Sequence, residues 1–120
     1  MPKNLKTQGD TIYEMQAELC GALANPVRLR ILELVSAQEM TSAELQQALD
    51  IPKTNLSQHL TVLRDAGILQ SRREGLYQYM SLALPKIKDA CAIVKSVLLE
   101  KIEQDHKRHT ELRKELKAQR

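Results

Sequence analysis

Four groups of side chains in this chain have types and spacings that could do chemistry. The first is a run of polar residues, Lys53, Thr54, Asn55, Ser57, Gln58 and Thr61, threaded between Leu56, Leu60 and Leu63. Leucines at that spacing turn one face of a helix inward. The polar residues then face outward, where Ser, Thr, Gln, Asn and Lys can reach the base edges and phosphates of a duplex. The second is the pair Arg72 and Arg73 beside Glu74-Gly75, a turn signal between two short extended runs. The third is the chain's two cysteines, Cys20 and Cys91. Their separation is neither a CxxC nor a zinc-knuckle spacing, so they are packing thiols or a sensor. Lys88 and Lys95 flank Cys91 at three before and four after and could lower its pKa. The fourth is a scatter of possible metal donors, Asp89-Ala90-Cys91 and His106 to His109. No Ser-His-Asp set, paired carboxylate or phosphate loop is present, and only four glycines occur, which argues against an enzyme and calls for no cofactor.

The chain that must position these groups has 120 residues, enough for one domain. Phe and Trp are absent and Tyr numbers three, so the core is built from Leu, Ile, Val, Met and Ala. That excludes a platform that stacks single-stranded bases on aromatics. A net charge of +3 is compatible with a polyanionic partner without establishing one. No apolar run approaches the roughly 20 residues of a membrane span, and the first ten residues lack a secretory apolar block. A cytoplasmic protein without a membrane partner is expected.

Apolar Ile12, Met15, Leu19 and Leu23 make the stripe of a first helix over 11–24. Asn25-Pro26 restarts the chain as cap and first turn of a second helix carrying Val27, Leu29, Ile31, Leu32, Leu34 and Val35. Thr41-Ser42-Ala43-Glu44 has capping-box spacing and opens a third helix, which Asp50-Ile51-Pro52 stops near Leu49. A fourth helix carries the polar run and stops before Gly67, a good left-handed cap. Strands over 69–73 and 76–82 follow, joined at Glu74-Gly75, and Pro85 opens a last helix. Past Ile102 its apolar stripe thins to Leu112 and Leu116 in a charged segment, an exposed continuation or a fraying tail. Two short helices with a tight turn, then a hairpin with arginines at its tip, predict a mainly α winged helix-turn-helix. A plain helical bundle with a solvated polar face is the alternative.

Three stretches resemble a known family. Leu23-Ala24-Asn25-Pro26-Val27-Arg28-Leu29-Arg30-Ile31-Leu32 is similar to the opening of the ArsR/SmtB repressors, the arsenic- and metal-responsive regulators of bacteria. Leu56-Ser57-Gln58-His59-Leu60-Thr61-Val62-Leu63-Arg64-Asp65-Ala66-Gly67-Ile68-Leu69 resembles their recognition helix nearly position by position. Arg72-Arg73-Glu74-Gly75 with Tyr79-Met80-Ser81-Leu82 is similar to their wing. The resemblance implies a homodimer through the first and last helices, with two recognition helices in successive major grooves of a pseudo-palindromic operator. It implies that Lys53, Thr54, Ser57 and Gln58 touch bases and phosphates and that Arg72 and Arg73 lie on the wing. Pro52 stands where the family often has a Ser cap, and Leu76 where a basic residue often follows the wing glycine. His59 fits a structural hydrogen-bonder better than a ligand.

The family's metal sites are largely missing from these residues. Glu39 to Glu44 has no Cys, Leu84-Pro85-Lys86 stands where the last-helix site needs Asp-x-His, and Asp89 and His106 to His109 are about one helical turn too far apart to replace it. No metal is therefore assigned. The remaining candidates are Cys20 and Cys91, whose modification by an oxidant or reactive sulfur species would release DNA, with a small inducer acting on the thiols. Metal or metalloid sensing of the arsenite type, and a winged-helix protein-interaction module with structural cysteines, are the alternatives. The expected division is a flexible N-terminus over 1–10, a winged helix-turn-helix domain with its dimerisation helices over 11–102, and a charged helical extension over 103–120.

Overall fold

A computed structural model describes residues 10–119; the flexible N-terminus expected over 1–10 falls, but for Asp10, outside them. The elements run α1 (Asp10–Leu23), α2 (Pro26–Ala37), β1 (Met40–Thr41), α3 (Ser42–Leu49), α4 (Lys53–Asp65), β2 (Leu69–Glu74), β3 (Tyr77–Leu82) and α5 (Lys86–Ala118).

Local chemistry sets most of the boundaries. Asn25 is extended, and its Oδ1 accepts from the amides of Val27 and Arg28 at 2.9 and 3.1 Å while Pro26 fills the first turn of α2. Thr41 and Glu44 close the capping box: the Glu44 amide donates to Thr41 Oγ1 and the Thr41 amide to Glu44 Oε1, at 3.1 and 2.9 Å. Thr41 therefore holds Glu44 below the usual carboxylate range, chiefly through its backbone N–H and next through its hydroxyl. Asp50 ends α3 in the left-handed region with φ of 52°, a conformation Asp tolerates, and its amide donates to Gln46 O. Gly67, with φ of 75°, ends α4: its amide bonds Arg64 O and that of Ile68 bonds Leu63 O, the paired closure of a Schellman motif.

Two features differ from the sequence reading. The strands reach Glu74 and resume at Tyr77, so the hairpin turn is Gly75-Leu76 rather than Glu74-Gly75. Of the two turn residues only Gly75 has a positive φ, 63°, as a turn with glycine first requires. The second is β1, a two-residue strand the sequence pattern does not signal, which pairs antiparallel to β3 through Met40 with Met80 and Thr41 with Tyr79. The sheet order is β1-β3-β2.

The core under this sheet is aliphatic. Ile31, Leu32 and Val35 from α2, Leu45 and Leu49 from α3, and Leu56, Leu60 and Leu63 from α4 are buried with Ile68, Leu69 and Met80. The described residues form two units, one ending at Ile87 and one beginning at Lys88. The second holds α5 from Lys88 onward, continuous through Ala118, on which Ile93, Val94, Val97, Leu98, Leu99 and Ile102 are exposed. In the first unit α1 leaves Ile12, Tyr13 and Met15 exposed. Among the described residues no helix is long and apolar enough to cross a membrane.

Candidate nucleic-acid interface

Helix α4 has the two faces its sequence demands. Leu56, Leu60 and Leu63 are buried, and Lys53, Thr54, Asn55, Ser57, Gln58 and Thr61 are all exposed. Thr54, Ser57, Gln58 and Thr61 follow i, i+3, i+4, i+7 and so form one stripe. Thr61 Oγ1 donates back to Ser57 O at 2.9 Å, which leaves its hydroxyl oxygen only to accept. Val62, 39% exposed, adds an apolar contact beside the stripe that the polar-residue count passed over. Asp65, exposed at the C-terminal end, puts a negative charge there. The part of the helix suited to a polyanion is its first two turns. Their start is open: Pro52, the N-cap residue, provides no side-chain cap bond, so the first-turn amides and the positive end of the helix dipole face outward beside Lys53.

His59 lies half-buried on the same helix and does not point into this stripe's work. Its Nδ1 lies 3.3 Å from Arg28 Nη1, and since a guanidinium only donates, a hydrogen bond there has the imidazole nitrogen as its acceptor. Arg28 also donates from Nε to Ala22 O at 2.7 Å and from Nη2 to Gly21 O at 3.4 Å. One side chain near the start of α2 thus closes the last carbonyls of α1 and touches α4. The structural role expected for His59 has this arginine as its partner.

Arg72 and Arg73 lie on opposite faces of the hairpin. Arg73 pairs in register with Gln78, is exposed, and meets no carboxylate among the described residues. Arg72 is engaged. Its Nε donates to both oxygens of Glu39, at 2.9 and 3.3 Å, its Nη1 to Glu74 at 2.6 Å, and its guanidinium carbon lies 4.6 Å from the centroid of the Tyr79 ring. Glu74's hydrogen bond, with help from Glu39's charge, raises its pKa still further.

The thiols differ from each other. Cys20 is exposed on α1 and Cys91 half-buried on α5, and neither is in a disulfide. Burial raises the Cys91 pKa, and the opposing effect of Lys95 is the smaller of the two. The lysine activation expected for Cys91 is thus outweighed by desolvation. Asp89, His106 and His109 are exposed on α5. Among the described residues no three His, Cys, Asp or Glu side chains gather where they could hold one ion.

The chain is similar to known proteins in sequence and in fold. Residues 23–72 match a family model described as a helix-turn-helix domain. The HTH-type transcriptional regulator Rv0081 of Mycobacterium tuberculosis is 37% identical over 92 residues, 76% of this chain and 81% of that protein. Its crystal structure superposes with a TM-score of 0.73 at 36% identity, covering 78% of this chain and 94% of that one. The homodimeric winged helix-turn-helix DNA-binding domain Mb0332 of Mycobacterium bovis, described as a possible ArsR-family regulator, gives 0.72 at 29% identity over 83% and 92% of the two chains. A transcriptional repressor SmtB homolog of Synechocystis is 34% identical over 70 residues, 58% of this chain and 53% of that protein.

Proposed function

Since this chain belongs to the ArsR/SmtB family of winged helix-turn-helix transcriptional repressors, we propose that it is a cytoplasmic homodimer reading a pseudo-palindromic duplex operator with α4 and its wing, released by thiol chemistry at Cys20 and Cys91. The observation that carries the DNA-reading part is the outward stripe Thr54, Ser57, Gln58 and Thr61 beginning at an uncapped helix end beside Lys53. An α-helix fills the major groove, and recognition helices present their first turns to base edges. Gln58 and Ser57 then read bases, while Lys53, Thr54 and the open amides hold phosphate. Asn55 and Thr61 flank the contact, and Arg73 reaches the backbone from the wing.

The dimer is supported by apolar surface that one chain leaves uncovered on α1 and, separately, on α5. A two-fold protein matches a two-fold site. The thiol reading is supported by Cys20 standing exposed and by Cys91 belonging to the helix with the largest uncovered apolar face. Raised acidity is not available to Cys91, so Cys20, exposed on α1, is the thiol that reacts first.

The test is a fluorescence titration of a labelled operator fragment. It compares the wild type with Gln58→Ala, Lys53→Ala, Cys20→Ser and Cys91→Ser, each reduced, oxidised, and treated with a sulfide donor, arsenite or zinc. Gln58→Ala should lose discrimination against random DNA by about tenfold or more, since a good bidentate base contact is worth roughly 1–3 kcal/mol. Lys53→Ala should weaken all duplexes alike and flatten the salt dependence by about one unit of slope per protomer. Either cysteine variant should stay bound under an oxidant, alone or together with the sulfide donor, which adds no sulfur to a thiol unless an oxidant is present. Unchanged discrimination in Gln58→Ala would refute the reading stripe, and wild-type release in both cysteine variants would refute the sensor.

A further inference from the structure

Arg72 looks, by its place on the wing, like a hand for phosphate, yet its Nε and Nη1 are both bonded to carboxylates of the protein and its guanidinium lies over the Tyr79 ring. The sheet order β1-β3-β2 puts Glu39, just ahead of β1, two strands away from Arg72 on β2. To reach it the arginine crosses β3, lying over Tyr79 at 4.6 Å, and donates Nε to both Glu39 oxygens; Nη1 is held by Glu74 on its own strand. Tyr79 is also the register partner of Thr41, whose side chain and backbone cap α3. The side chain therefore spans all three strands and ends beside the segment that starts the helix-turn-helix.

We propose that Arg72 is a positioning residue, a strap that ties the wing to the cap of α3 and leaves the wing's contact with DNA to Arg73. The proposal rests on the reading of α4 and the wing as the duplex-binding face. Arg73, on the opposite face of the same strand with no carboxylate partner among the described residues, is the wing arginine with its charge uncommitted. Turning Arg72 to a phosphate would break three hydrogen bonds and a cation–π contact and leave two carboxylates facing the polyanion. Turning Arg73 breaks none of these.

The strap and a phosphate contact predict opposite signs for one substitution. Glu39→Gln takes a charge from the strap without touching Arg72. If Arg72 is a strap, Arg72→Ala should weaken operator binding by about five- to tenfold, as loss of its exposed ion pairs and cation–π contact suggests, and Glu39→Gln, which removes one of those ion pairs, by about two- to fivefold. The double variant should be no worse than Arg72→Ala alone. Neither should change the slope of log affinity against log salt, because no released counterion is lost, whereas Arg73→Ala should lower that slope by about 0.9 per phosphate contact. Tighter binding by Glu39→Gln, or a slope loss in Arg72→Ala equal to that in Arg73→Ala, would overturn the proposal. A readout without DNA separates its failure from that of the duplex reading. In free protein the Arg72 Nε–H resonance should be protected by Glu39 and shifted by the Tyr79 ring; the protection should fall in Glu39→Gln and the shift should be lost in Tyr79→Leu. An unprotected Nε–H in the wild type would overturn the strap whatever the protein binds. A protected one in a protein that binds no duplex would keep the strap and overturn the role of Arg73.

Discussion

Replacing Arg28 by Ala should destabilise the fold far more than a half-buried arginine on a helix ordinarily would. The bond from its Nε to Ala22 O is 2.7 Å and charge-assisted, a class worth about 1.5–3 kcal/mol. Its positive charge also lies at the C-terminal end of α1, where the helix dipole adds about 0.3–1 kcal/mol. The contacts to His59 and Gly21 O, at 3.3 and 3.4 Å, are long and add little. The expected loss is therefore about 2–4 kcal/mol, and Arg28→Lys, which keeps the charge but not the fork, should lose about half as much. Urea unfolding at one fixed protein concentration measures it, because a dimer's stability depends on concentration. A double-mutant cycle with His59→Ala should return a coupling of about 0.5 kcal/mol. A loss below about 0.5 kcal/mol for Arg28→Ala, the level of an ordinary surface change, would refute the reasoning that Arg28 closes α1.

Thr41→Ala should lower stability by about 1 kcal/mol, the usual worth of a helix cap, in the same unfolding assay. Because the folded Glu44 carboxyl titrates below its ordinary value, its contribution is complete above pH 4.5 and is lost as pH falls through the lower folded value. The wild type's advantage over Glu44→Gln should accordingly narrow in urea titrations below pH 4.5, and a gap that widens there would count against the capping box. Gly75→Ala meets no atom within 4 Å, so its cost of about 1 kcal/mol should come only from holding alanine at a φ of 63°; an unchanged urea midpoint would contradict that. Iodoacetamide should label exposed Cys20 faster than half-buried Cys91, and the Cys91 rate should keep rising past the usual thiol pH range. Peptide mapping that finds Cys91 the faster would reverse the assigned order of reaction.

What could be read from the chain beforehand was whatever a few neighbouring residues decide together. Asn25-Pro26, the Thr41 to Glu44 box, Gly67 and the leucines of α4 each act within one helical turn, and each sits where its spacing says. The turn at Gly75-Leu76 was misplaced by one residue because Glu74-Gly75 resembles a turn with glycine second, and only the register of Glu74 with Tyr77 shows glycine first. β1 was missed because a two-residue strand is defined by its partner, Met80 and Tyr79, and has no periodicity of its own. The same holds for the site. The polar face of α4 follows from its own pattern, but Arg72's commitment to Glu39 and Arg28's contact with His59 arise between residues far apart in sequence, and Arg28's reach back to Ala22 depends on how the chain turns between α1 and α2.

Thr41 gives two structures the same residue: its backbone neighbours Tyr79 in the sheet, and its side chain and amide cap α3. Neither can open alone. A fluctuation that frays the first turn of α3 must also peel the edge strand from the wing, so the two should exchange amide hydrogens in one step with one opening free energy rather than as a loose loop and a tight helix. The head that carries α4 then has no soft internal joint at this corner. In the homodimer proposed above, a signal would move such a head as a whole and change the distance between the two α4 helices, not the shape of either.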